Sequence, residues 1–165
     1  MCVALIFCRQ RDEFIFGDAH KTMRTPINTE VGIISGRDAI FLDEQKLVQG
    51  DSCGMIFVGE LNGDLCSNNA TGKEWIPYKL SFEYPIYYFC CELDLYDHLY
   101  RAKLPKKSSS FDIVTKSDLL TNLTENTIDF SSRYEGNFSH FVLATYDYIY
   151  EIVARDFTLE IDTSN

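Results

Sequence analysis

The sequence has no apolar run long enough to cross a membrane, and it has no segment typical of a secretory leader. A membrane-spanning helix needs about 20 consecutive apolar residues. The apolar stretch at Val3–Phe7 is far shorter, has no basic residue before it and is followed by Arg9 and Arg11. These two absences predict a protein of the cytoplasm with no membrane partner.

Disulfide bonds persist mainly in oxidising compartments, so a cytoplasmic location predicts reduced cysteines. Cys90 and Cys91 are adjacent in a predicted strand, where their side chains point to opposite faces and do not readily bridge each other. We therefore expect thiols that are mostly buried. The six cysteines are Cys2, Cys8, Cys53, Cys66, Cys90 and Cys91.

Motifs for nucleotides and metals are also missing. Neither GxGxxG nor GxxxxGK[ST] occurs, so nothing predicts a loop that cradles phosphate. Cys90, Cys91 and His98 lack the ligand spacing of a structural zinc site, and the acidic run Glu92–Asp97 departs from the pattern of a calcium loop. The sequence thus predicts no cofactor and no metal.

Basic residues are scarce, with 15 Lys and Arg against 25 Asp and Glu, for a net charge of −10. Residues 111–165 contain ten acidic and three basic residues, a net charge of −7. Such a surface repels polyanions, which argues against nucleic-acid binding, and it attracts basic proteins.

Aromatic residues are concentrated in Trp75–Leu95, which holds the only tryptophan, several tyrosines and two phenylalanines. Aromatic side chains bury about 150–250 Å² each, so we expect this stretch to form the core. Its apolar positions alternate as in a strand, and the alternation slips by one residue at Pro85. The slip predicts a bulge, a bend or two strands meeting there.

Strand patterns outnumber helix patterns elsewhere, and no strand–helix–strand alternation repeats. The predicted fold is α+β: a bent antiparallel or mixed β-sheet with one or two short helices on one face, in a single domain over residues 1–165. We expect a helical turn at Asp43–Val48, a type I′ turn at Asn62–Gly63 and a helix capped by Ser117. The further strands are predicted at 3–8, 14–16, 31–34, 39–42, 55–61 and 111–114, and we expect 31–34 to pair with 39–42 as a hairpin. A last hairpin at 141–161 turns near Asp147 or near Arg155–Asp156. A short helix is predicted at 95–102 and a polar loop at 124–137.

Tyrosines and carboxylates alternate in the last hairpin, a mixture that suits a face capturing Arg and Lys side chains. The competing interpretation places these tyrosines in the core. The predicted partner-binding residues are Tyr146, Asp147, Tyr148, Tyr150 and Glu151, with a second acidic edge at Glu92, Asp94 and Asp97.

The opening stretch Cys2–Thr22, CVALIFCRQRDEFIFGDAHKT, resembles the first two strands of N-terminal nucleophile hydrolases. The resemblance implies a cysteine amidohydrolase in which Cys2 is the nucleophile and Asp18 and Lys21 follow the second strand. That fold has long helices next, whereas residues 50–94 alternate as strands. A second catalytic hypothesis joins His140 and Asp147 to one of the paired cysteines.

The interpretation that the composition favours is a non-catalytic protein-binding domain. It would be an acidic inhibitor, such as an immunity or antitoxin protein, that neutralises a basic toxin or nuclease by occlusion. The alternative is the amidohydrolase that uses Cys2.

The amidohydrolase hypothesis predicts that the mature chain begins at Cys2, because the α-amine of a first-residue cysteine can activate its thiol. Intact-mass measurement of the purified protein tests this. A retained Met1 would end the hypothesis.

Overall fold

The computed structural model describes residues 23–49, 54–100 and 109–162. These residues form two antiparallel sheets and three helices, which confirms the predicted sheet-dominated α+β class. The predicted strands at Val3–Cys8 and Phe14–Phe16, and the Cys2, Asp18 and Lys21 positions, lie outside the described residues.

The first sheet has five strands in the spatial order β1, β6, β7, β8, β5. The second has four, in the order β2, β3, β4, β9. The strands are β1 (Met23–Pro26), β2 (Ile40–Val48), β3 (Gly54–Asn62), β4 (Trp75–Glu83), β5 (Tyr87–Glu92), β6 (Phe111–Thr115), β7 (Ser139–Ala144), β8 (Tyr148–Ala154) and β9 (Asp156–Ile161). The helices are α1 (Leu93–Tyr100), α2 (Asp118–Asn126) and α3 (Phe130–Arg133).

The inner faces of the two sheets enclose one aromatic core. Phe82 of β4 is at its centre, with ring centroids 5.9 Å from Phe57 in its own sheet and 5.4 Å and 6.1 Å from Phe141 and Phe111 in the other. Alternation along β4 explains this placement, because every second residue from Ile76 to Phe82 is buried. The prediction that this stretch supplies core residues is thus confirmed for β4.

The slip at Pro85 marks two strands that belong to different sheets. Tyr84 has a positive φ of 49°, and the chain then leaves the four-stranded sheet and enters the five-stranded one as β5. β4 pairs with β3 and β9, and β5 pairs with β8, so the two strands flanking Pro85 do not pair with each other.

A second, smaller core covers the outer face of the five-stranded sheet. Leu93 and Tyr96 of α1 pack there against Val142 and Ile149. α2 begins as predicted, because the Ser117 hydroxyl accepts a hydrogen bond from the Leu120 amide at 3.0 Å.

Three local predictions are wrong. Residues 43–48 continue strand β2 rather than form a helical turn, because the β2 backbone pairs with β3 through a bulge near Asp43. Val31–Ile34 does not pair with Ala39–Leu42. Asn62–Gly63 is not a two-residue hairpin turn: Asn62 has φ −78°, and the chain forms a 3₁₀ turn and a polar loop before Trp75 pairs with Asn62.

The helix predicted at 95–102 is confirmed as far as Tyr100 and starts two residues earlier, at Leu93, while residues 101 and 102 lie outside the described ranges. The region predicted as a polar loop at 124–137 contains α3. The last hairpin is three strands rather than two, because the chain turns at both of the positions that were expected as alternatives. It gives β7 and β8 around Asp147, and β9 after Arg155.

Because the Phe82 ring contacts both sheets, we expect Phe82→Ala to lower the free energy of unfolding by about 3–5 kcal/mol. Ile128, which is 81% exposed, provides the control, and Ile128→Ala should change stability by about 0.5 kcal/mol or less. Urea unfolding of both variants measures the difference. Similar losses for the two would contradict the central role of Phe82.

Candidate functional site

The turn between β7 and β8 brings most of the predicted partner-binding residues to one end of the molecule. In this turn, the backbone amide of Tyr146 donates a hydrogen bond to the Ile40 carbonyl at the start of β2, at 2.8 Å. The Asp147 carbonyl accepts from the Leu93 amide at the start of α1, also at 2.8 Å. The turn of the last hairpin and the predicted second acidic edge therefore lie at the same end of the molecule.

Three aromatic rings form a row at this end, with Tyr146 and Trp75 exposed and Phe41 half-buried between them. Tyr146 stacks on Phe41 with ring centroids 5.1 Å apart and an interplanar angle of 19°. Trp75 packs edge-to-face on Phe41, with ring centroids 5.3 Å apart. Tyr148 follows Tyr146 by two residues, lies opposite Glu92 in the β5–β8 ladder and is also exposed.

Acidic side chains lie at the Tyr146 end of this row. Asp94 and Asp97 are one turn apart on α1 and therefore share a face of the helix, and both are exposed. Asp147 is exposed in the turn itself. We call this set the aromatic–acidic surface, and its members are Phe41, Trp75, Glu92, Asp94, Asp97, Tyr146, Asp147 and Tyr148.

The carboxylate of Glu92 has a structural task within this surface. It accepts hydrogen bonds from the backbone amides of Asp94 at 3.0 Å and Leu95 at 2.7 Å. These amides are in the first turn of α1, where a helix has unpaired N–H groups and a favourable site for negative charge. Glu92 therefore holds the N-terminus of α1 in place beside Tyr146 and Asp147.

Asp94 is bound to Arg37, which lies in a 3₁₀ turn just before β2. The guanidinium donates two hydrogen bonds to the Asp94 carboxylate, at 2.6 Å and 3.1 Å. This bidentate contact holds the pKa of Asp94 below its usual value. Arg37 also lies over the Tyr146 ring, 5.9 Å from its centroid.

Tyr150 and Glu151 are buried, which corrects the expectation that they lie on the same exposed face as Tyr146. β8 lies between β7 and β5, with the other sheet on its inner face and α1 on its outer face. Tyr150 points inward and packs edge-to-face on Phe57 at 4.9 Å. Glu151, its neighbour in the strand, points outward beneath α1.

Sequence reasoning missed three members of this region. Phe41 and Arg37 come from a segment whose pairing was wrongly predicted, and Trp75 was assigned to the core although it is 41% exposed. The alternation of apolar and polar positions along β4 predicts that Trp75 lies on the exposed face. The buried positions are Ile76, Tyr78, Leu80 and Phe82, and Trp75 falls on the opposite face.

A separate polar cluster is buried on the outer face of the five-stranded sheet. The Ser117 hydroxyl accepts a hydrogen bond from the Leu120 amide and forms another with His140 Nδ1 at 2.8 Å. His140 Nε2 lies 3.7 Å from Glu151 Oε2, an acceptor that favours the ring proton on Nε2, and in that tautomer Ser117 donates to Nδ1. The Tyr96 hydroxyl donates to Glu151 Oε1 and accepts from Arg24 at 3.1 Å.

Burial disfavours charge on both titratable groups at the centre of this cluster. It lowers the pKa of His140 to about 3, with a further lowering by the Arg24 charge. It raises the pKa of Glu151, against the opposing effect of the Tyr96 hydrogen bond. The neutral imidazole therefore persists in the folded protein at physiological pH.

Serine, histidine and a carboxylate are the groups of a hydrolytic triad, but here the three side chains stabilise the fold. All three side chains are at least 90% buried, and the Ser117 oxygen caps α2. The cluster links α1, α2 and three strands. The hypothesis that His140 and Asp147 form a triad with a cysteine is wrong, because His140 is buried against Glu151 and Asp147 is exposed in the turn.

No protein-family model matches the sequence, and searches of curated proteins and of solved structures also find no match. Among the helices that the structure describes, none has the length and apolar character needed to span a bilayer. Within the described ranges, no three His, Cys, Asp or Glu side chains converge as metal ligands.

His140 generates a prediction about acid stability. Its folded-state pKa of about 3 is below the unfolded value of about 6.5, so folding excludes a proton and stability is lost as pH falls below about 6.5. The loss from this group approaches about 1.4 kcal/mol per pH unit. Glu151, whose pKa is raised, has the opposite pH dependence, which makes comparison of variants necessary.

We expect His140→Asn to be less stable than wild type at pH 7.5 and to lose less stability between pH 7 and pH 5. The asparagine amide can still accept from Ser117 but cannot titrate. Urea unfolding across this pH range measures the slopes. The exposed His98→Asn is the matched control, and equal slopes for wild type and His140→Asn would contradict the prediction.

Proposed function

We propose that this protein is a non-catalytic inhibitor that binds a basic protein through the aromatic–acidic surface. The observation that supports the proposal is the row formed by Trp75, Phe41 and Tyr146, in which Trp75 and Tyr146 are exposed and carboxylates lie at the Tyr146 end. Exposed aromatic rings in contact with each other offer apolar area with little conformational entropy to lose on binding.

Aromatic and charged groups have different tasks at such a surface. Trp and Tyr are the residue types most enriched among those that dominate binding energy, so Trp75 and Tyr146 are the proposed anchors. Carboxylates such as Asp147 and Asp97 pair with Lys and Arg of the partner and fix its orientation. The faces of the rings also attract cations.

The net charge of −10 supports the same class of partner. An acidic protein attracts a basic one over distances comparable to the Debye length, which raises the association rate at low salt. A nuclease binds its polyanionic substrate through Lys and Arg. An acidic protein that covers those residues blocks the substrate by occlusion, as an immunity or antitoxin protein does, and we place this interaction in the cytoplasm.

The amidohydrolase that uses Cys2 remains the alternative. Its residues lie outside the described part of the chain, and the intact-mass measurement given above tests it independently.

We expect Asp147→Lys to weaken capture of the basic partner by about tenfold or more at low salt, because it places like charges opposite each other. The immobilised protein is exposed to an extract of its native host at low and high salt, and retained basic proteins are quantified by mass spectrometry. Wild type should retain one basic protein that high salt releases.

Glu125→Lys is the matched control, since it makes the same charge change at an exposed position of α2, away from the aromatic–acidic surface. It should retain the partner nearly as well as wild type does. Equal retention by Asp147→Lys and Glu125→Lys would show that the aromatic–acidic surface is not the binding face.

A further inference from the structure

Arg37 already occupies the aromatic–acidic surface in the way a partner's arginine would. Its guanidinium makes a two-pronged contact with the Asp94 carboxylate and lies over the Tyr146 ring. A carboxylate fork beside an aromatic face is the environment that suits guanidinium best, since it combines paired hydrogen bonds with a cation–π contact. These groups therefore have the geometry of an arginine-binding site.

The site is held ready by its surroundings. Glu92 fixes the backbone of Asp94 and Leu95 through two hydrogen bonds, and Tyr146 is fixed by its stacking on Phe41. The backbone that carries Asp94 and the ring of Tyr146 thus keep their places whether or not Arg37 is bound.

Arg37 itself is held weakly. The side chains of Arg37 and Asp94 are 50% and 64% exposed. Exposed ion pairs contribute little net stability, because solvent screens them and both side chains lose rotamer freedom. Another guanidinium can therefore replace Arg37 at small cost, while Arg37 turns out into solvent.

We propose that Asp94 and Tyr146 form an arginine-binding subsite that Arg37 occupies in the free protein, and that an arginine of the basic partner displaces it. The proposal rests on the proposed function and specifies its partner: an arginine-bearing segment whose adjacent side chains lie along Phe41 and Trp75. Arginine is preferred to lysine, because the planar fork of guanidinium matches the carboxylate and an ammonium group does not.

The position of Trp75 provides a direct assay. It is the only tryptophan of the chain and lies in contact with Phe41, so its fluorescence reports ligands at the surface. The probes are hexa-arginine and hexa-lysine peptides, titrated at low salt into the full chain and its variants.

Displacement predicts that Arg37→Ala binds hexa-arginine about two- to fivefold more tightly than wild type, with a smaller gain for hexa-lysine. Arg37→Lys, which keeps the positive charge but loses the fork, should also bind hexa-arginine more tightly than wild type. Asp94→Asn should lose the preference for arginine. Thermal unfolding confirms that each variant is folded.

Lys79→Ala is the matched control, because Lys79 also forms an exposed ion pair, with Glu160 at 2.9 Å, on a β4–β9 pair. It removes the same charge away from the subsite and should leave the arginine-to-lysine ratio unchanged. An equal gain for Lys79→Ala and Arg37→Ala, or no gain for Arg37→Ala, would overturn the displacement proposal.

The assay separates this proposal from the proposed function. Host-protein capture that depends on Asp147, combined with no gain for Arg37→Ala, would refute displacement and leave the inhibitor function in place. A gain for Arg37→Ala without any basic host protein captured would support the arginine subsite and refute the inhibitor function.

Discussion

The contact between the two sheets at the Phe82 ring is the constraint on which the rest of the structure depends. Phe82 belongs to the four-stranded sheet, and Phe111 and Phe141, which pack against it, belong to the other. The chain passes between sheets beside this core, at Tyr84 and again after β8. The ring contacts hold the two sheets face to face, and the short crossings bring the end of β4 close to the start of β5 and the end of β8 close to the start of β9.

The aromatic–acidic surface is a consequence of that arrangement. The β7–β8 turn of one sheet hydrogen-bonds to the start of β2 in the other, and α1 begins against the same turn. Residues from three separate parts of the sequence thereby become neighbours. The buried cluster around His140 and Glu151 lies on the outer face of the five-stranded sheet, where its hydrogen bonds join α1 and α2 to the strands.

Features determined by neighbouring residues could be predicted from the sequence. Ser117 as a helix cap and the break at Pro85 depend on local backbone chemistry, and both are found. Which strands pair could not be predicted, because the exposed, polar part of β2 does not alternate and fits several partners until the bulge near Asp43 sets its register against β3. Burial of Tyr150 and Glu151 was missed for the same reason, since it requires knowing that both faces of β8 are covered.

The strand order has a consequence for how the protein is made. β1 pairs with β6 through Met23 and Thr115, and β4 pairs with β9 through Phe82 and Phe157. Pairings between such distant residues form slowly, because loop-closure entropy is lost before the contacts form. During synthesis, β4 leaves the ribosome long before β9 exists to cover its edge, and an uncovered edge attracts other chains. Neither sheet is complete until residues 139–161 have emerged, so this protein must avoid aggregation for most of its translation.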